Sequence, residues 1–95
     1  MTFQQHPAVE AAPLLEELML FHPQLNTFCV LNRTASFLWT YLAEPCTAER
    51  LAEEICQGFE GITLTDALRD VRETLQLMSS LNLVMVASSS LTQEA

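Results

Sequence analysis

The spacing of apolar and polar positions changes period along this chain. From Leu14 to Phe21 the residues are apolar apart from Glu16 and Glu17. His22-Pro23-Gln24-Leu25-Asn26 then interrupts the run with two turn formers, Pro23 and Asn26. Thr27 to Leu31 follows with Phe28, Cys29, Val30 and Leu31, a run too short for a helix and made of residue types that suit a pleated strand. The two runs predict a β-hairpin. Residues 1–13 hold Pro7 and Pro13 and show little periodicity, which predicts an N-terminal arm with at most a short edge strand over Ala8 to Ala11.

Beyond Asn32 the period becomes helical. Asn32 is placed to cap a helix from Arg33 to about Ala43, in which Ala35, Leu38, Trp39 and Leu42 share one face. Phe37 and Tyr41 form a second stripe beside it. Trp39 belongs to the core stripe, whereas Phe37 and Tyr41 would cover the sheet or a partner. Glu44-Pro45-Cys46 ends this helix. Thr47 caps a second one to about Gly58, with Leu51, Ala52, Ile55, Cys56 and Phe59 inward and Glu49, Arg50, Glu53, Glu54 and Gln57 outward. Thr63 with Asp66 three residues on matches a capping box for a third helix to about Ser80. Its core stripe reads Leu64, Leu68, Val71, Leu75 and Met78, and Asn82 closes it. Leu83 to Ala87 predicts a short final strand, and the polar residues 88–95 a disordered tail. The expected architecture is α+β and winged helix-turn-helix-like: a small N-terminal antiparallel β-sheet, three helices and a short C-terminal strand. The arm spans residues 1–13 and the domain residues 14–87.

At 95 residues the chain suits one domain with a modest core. Four Arg, no Lys and twelve acidic residues give a formal charge of −8. Nothing supplies the basic stripe that phosphates require, which disfavours nucleic acid, and an anionic membrane for the same reason. No apolar run approaches the length of a bilayer span, and the first residues lack the charge and apolar stretch of a signal peptide. The expected compartment is cytoplasmic. Cys29, Cys46 and Cys56 are odd in number and widely spaced, which argues against disulfides and a zinc site. Cys46, after Pro45, reads as the most exposed of them.

Catalytic chemistry is hard to assemble from these residues. His6 and His22 fall in the arm and in the hairpin turn, where both read as exposed turn residues without a rigid shell. Glu49, Glu53 and Glu54 read as a solvated helix face partly paired with Arg50. Two glycines cannot make a phosphate-binding loop. An acyl-carrier reading fails because no Ser follows an Asp. No catalytic residue, metal ligand or cofactor is expected.

The stretch Leu31-Asn32-Arg33-Thr34-Ala35-Ser36-Phe37-Leu38-Trp39 resembles a motif of the PqqD-like family, also called RiPP recognition elements. Thr47-Ala48-Glu49-Arg50-Leu51-Ala52 resembles that family's second-helix opening, and Asp66–Val71 with Leu75–Leu83 its third helix and closing Leu-rich end. The resemblance covers about Leu14 to Val86. It departs in the loop Glu44-Pro45-Cys46, where the family commonly has Gly, and in a sheet with only two clear strands before the first helix. The resemblance implies a non-catalytic peptide chaperone. Such proteins bind the leader segment of a ribosomally made precursor peptide and present it to a modifying enzyme, often a radical-SAM enzyme, in natural product biosynthesis. The peptide docks as an added strand between the last strand before the first helix and the third helix.

Carried onto this sequence, the strand is Thr27, Phe28, Cys29, Val30 and Leu31, since a free strand edge offers the N–H and C=O groups that strand addition uses. On the third helix, residues set at 100° intervals put Arg69, Arg72 and Gln76 on one flank of the apolar stripe and Asp70, Leu77 and Leu81 on the other. The first flank, with Leu68 and Leu75 of the stripe, is the expected wall, because two of the four Arg lie there to meet an acidic leader residue. Two other readings stay open at this point: an adaptor subunit that forms a homodimer through its sheet edge, and a winged-helix DNA-binding regulator, which the charge opposes.

Overall fold

The computed structural model describes residues 1–87. The expectation for residues 88–95 lies outside the described residues. Five strands and three helices run in the order β1 (Thr2–Gln5), β2 (Glu10–Leu14), β3 (Glu17–His22), β4 (Thr27–Leu31), α1 (Arg33–Tyr41), α2 (Ala48–Gly58), α3 (Leu64–Ser80) and β5 (Val84–Ala87). This is the α+β, winged helix-turn-helix-like architecture expected from the sequence.

The N-terminal arm is where the expectation fails. Residues 1–13 carry two strands. β1 pairs antiparallel with β5, from Thr2 opposite Ala87 to Gln5 opposite Val84. Its other side is taken by the segment between α1 and α2. Phe3 N–H donates to Cys46 O at 2.8 Å, Cys46 N–H donates back to Phe3 O at 2.9 Å, and Gln5 N–H donates to Leu42 O at 2.8 Å. The Gln5 side-chain amide also donates to Trp39 O at 2.7 Å. Carbonyls left over at the end of α1 thus find donors in β1, which solves the problem every helix terminus poses. Cys46, expected to be exposed in a turn, is instead half-buried and bonded to β1. The loop without Gly is held by that pairing.

β2, β3 and β4 form the complete three-stranded antiparallel sheet, in that order, with β4 on an edge. Pro13 lies in β2, the opposite edge strand, where a missing N–H is tolerated. Leu15 and Asn26 make the hairpin turns at positive φ, 51° and 54°. Asn adopts this region readily, whereas for Leu it is uncommon. The register puts Ala11, Leu20 and Cys29 on one face with Leu18, Leu31 and His22, and Met19, Phe21, Phe28 and Val30 on the other. The first face is the core face, since Leu20, Leu31 and His22 are buried. His22 is therefore no exposed turn residue: it is only 2% exposed. It follows Leu18 and Leu20 at a period of two, and its ring lies 4.7 Å from that of half-buried His6.

The helices start as the sequence predicts. Asn32 Oδ1 accepts from Ala35 N–H at 2.9 Å, Thr47 Oγ1 from Arg50 N–H at 3.1 Å and Thr63 Oγ1 from Asp66 N–H at 3.2 Å. α3 stops at Asn82, whose φ of 60° lets Leu83 N–H return to Met78 O at 2.8 Å. Leu38, Trp39, Leu42, Leu51, Ala52, Ile55, Val71, Leu75, Met78 and Leu83 join Leu20 and Leu31 in one core. Leu64, assigned to the core stripe of α3, is exposed in its first turn, and Ala67 takes the buried place. Phe37 stacks on Tyr41 and Phe59 with ring centres 5.2 and 5.1 Å apart, sealing the side of α1 and α2.

Candidate functional site

β4 is an edge strand, as β2 is on the opposite side of the sheet. Among the described residues its one sheet neighbour is β3, so its other side is an open backbone edge. Of its residues, Leu31 is buried, Cys29 and Thr27 are half-buried, and Phe28 and Val30 are 62% and 54% exposed. The exposed pair lies on the outer face of the sheet, opposite Phe21 and Met19 of β3. The Phe28 and Phe21 rings are 5.6 Å apart.

The position of α3 beside this edge can be traced through contacts at both ends. At the Leu31 end, a surface cleft is lined jointly by Asn32, Thr34 and Ala35 of the β4–α1 junction and by Asp70, Glu73 and Thr74 of α3. At the Thr27 end, His22 is the direct partner of Thr27, His22 stacks on His6, and His6 N–H donates to Leu83 O at 3.0 Å, just past α3. α3 therefore runs antiparallel to β4. The lengths agree: five strand residues span about 17 Å, and Asp70 to Leu81 on a helix about 16 Å. The cleft sets Asp70, Glu73 and Thr74 of α3 beside the start of α1, and Leu77 and Leu81 continue the row of Asp70 and Thr74 along the helix, three or four residues apart.

The residues of the expected wall gather on the side of α3 that meets α2. Leu68, Arg69, Arg72 and Gln76 do come together, with Thr65 and Glu73, around one shallow depression. That side turns toward α2 and β1. Arg72 donates to Glu49 of α2 at 3.4 Å and shares a second depression with Phe3, Ala48 and Glu49. Leu75 lies in the core between the two flanks. Arg69 pairs with Asp66 at 3.3 Å and Asp70 at 3.8 Å. A helical wheel yields both flanks but not which of them faces the sheet. That choice is made by α2, which packs along the Arg72 side.

Burial pushes the Cys29 and Cys46 thiols up, in Cys46 against the opposing pull of Arg50 and of the Thr47 backbone hydrogen bond, so both stay protonated at neutral pH. Arg50 holds Glu54 at 2.9 Å, so part of the acidic face of α2 is spent on ion pairs. No helix of the described residues is long and apolar enough to cross a membrane. Among these residues no group of three His, Cys, Asp or Glu is gathered to hold a metal ion.

A winged-helix-like domain with an open strand edge beside its last long helix defines the class. The family model described as "Coenzyme PQQ synthesis protein D (PqqD)" matches residues 17–84, and the chain belongs to the PqqD family. Two solved structures share its fold. One is TbiB1 in complex with the TbiA(beta) leader peptide, 24% identical, with a TM-score of 0.79 over 90% of this chain and 99% of that one. The other is a lasso peptide synthetase B1 complexed with its leader peptide, 19% identical, with a TM-score of 0.76 over 88% of this chain and 98% of that one. No curated protein matches the chain.

Proposed function

We propose that this protein is a non-catalytic peptide-binding module. It takes the leader segment of a ribosomally made precursor peptide as an extra strand on β4 and presents it to a modifying enzyme in the cytoplasm. The observation that carries this reading is the edge position of β4, with the turn that follows it sharing a surface cleft with α3. Two further points support it: membership of the PqqD family, and a fold shared with two proteins solved with leader peptides bound. In this mode main-chain hydrogen bonds provide affinity and register, and side chains on either side of the new strand provide specificity. A second chemical step is not required of the module, and the protonated thiols and buried His22 supply none. The modifying enzyme brings the chemistry; a radical-SAM enzyme is the class the family resemblance suggests.

The test is a titration with the short peptides encoded beside this gene. Val30→Asp places a charge on the exposed face of β4, one residue from its C-terminal end, where the side chain is 54% exposed. Wild-type protein should bind one such peptide, and the variant should lose at least tenfold in affinity while its circular dichroism is unchanged. Equal affinity in the folded variant would remove β4 from the binding surface.

A further inference from the structure

The outer face of the three-stranded sheet carries an apolar strip that reaches the β4 edge. Phe28 and Val30, the most exposed of its large apolar side chains, stand on β4, backed by Phe21 and Met19 on β3 and by Ala12 and Leu14 on β2, with Glu10 and Glu17 at the margins of the same face. Single exposed apolar side chains need no explanation, but a contiguous strip ending at an open strand edge does. A strand added to β4 would continue it, setting alternate side chains directly beside Phe28 and Val30.

The charges around the same edge are as specific. Three of the four arginines are engaged elsewhere, Arg50 with Glu54, Arg72 with Glu49 and Arg33 over the Phe59 ring at 5.9 Å, and Arg69 divides itself between Asp66 and Asp70. The cleft at the Leu31 end instead holds two carboxylates, Asp70 and Glu73. The N-terminus of α1 borders it and offsets about half a charge. Arg69, shared between two aspartates at 3.3 and 3.8 Å, offsets part of another. The cleft stays negative on a chain of net charge −8.

Resting on the strand-addition reading, we propose that the bound peptide has a particular side-chain pattern. It carries apolar residues at two positions two apart, packed on Phe28 and Val30 at the outer face. It carries a basic residue where it passes the start of α1, facing Asp70 and Glu73. This reverses the charge that the Arg-bearing flank suggested for the peptide, because that flank turns to α2.

The experiment uses the full chain and the parent peptide encoded beside its gene, with every peptide residue exchanged in turn for Ser and for Glu. Two positions two apart should each lose about two- to fivefold with Ser. Those losses should vanish against the Phe28→Thr, Val30→Thr double variant. Glu at the position passing α1 should weaken binding, and Asp70→Asn with Glu73→Gln should relieve that penalty. The peptide exchanges read the pattern even if a protein variant fails to fold. If the parent binds with amide shifts along β4 but shows no alternate sensitivity, or tolerates Glu at that end, the pattern is overturned and strand addition stands. If no parent peptide binds, both fall.

Discussion

Gln5 shows how single side chains fix the parts of this protein that local sequence patterns do not describe. Its main chain donates to Leu42 O, and its side chain donates to Trp39 O, thirty-four residues away. Both carbonyls lie at a helix end; Trp39 O also takes a bond from Leu42 N–H at 3.1 Å, so the Gln5 amide supplies its second donor. Gln5→Ala should lower stability by about 1 kcal/mol, measured as a shift in the urea midpoint at constant slope. An unchanged midpoint would mean that water replaces the amide at no cost. No local pattern marks Gln5, because its partners are distant. His22 is the opposite case. Its burial was legible, since Leu18, Leu20 and His22 alternate, but the adjacent Pro23 made it look like part of the turn. The structure extends the strand to the last residue before Pro23.

Among the elements, the three helices were readable because each is signalled twice, by a capping residue and by a stripe. Asn32, Thr47 and Thr63 all cap as expected. β1 and β2 were hidden by Pro7, Pro13 and the shortness of the strands, which leaves too few positions for a period of two to declare itself. β1 nevertheless holds two regions at once, β5 on one side and the segment from Leu42 to Cys46 on the other. Removing residues 1–5 deletes the two bonds between Phe3 and Cys46 and the two from Gln5, and uncovers one side of β5. With each net hydrogen bond contributing about 1 kcal/mol, these four alone amount to roughly 4 kcal/mol of stability lost. Thermal unfolding of the truncated chain checks this, and a melting temperature equal to that of the full chain would show β1 to be an ornament. Of the candidate site, Thr27–Leu31 was legible as a strand from its residue types alone. The flank of α3 was not, because a wheel is symmetric about its apolar stripe. Only the packing of α2 on the Arg72 side breaks that symmetry.

For the molecule as a whole, one small core packs the three helices on the sheet, and the proposed function falls to the β4 edge and α3. The distribution of charge follows the same division, with the Arg72–Glu49 ion pair on the α2 side of α3 and the partly compensated carboxylates Asp70 and Glu73 toward the start of α1. Peptide recognition at β4 makes a spatial claim that one measurement resolves residue by residue. Backbone amide NMR of the labelled full chain, titrated with the peptides encoded beside its gene, should show shifts along Thr27–Leu31 and on Asp70, Thr74 and Leu77. Arg69, Arg72 and Gln76 should move little. Shifts gathered instead on Arg69, Arg72 and Gln76, with β4 silent, would contradict strand addition and put the peptide on the α2 side of the third helix.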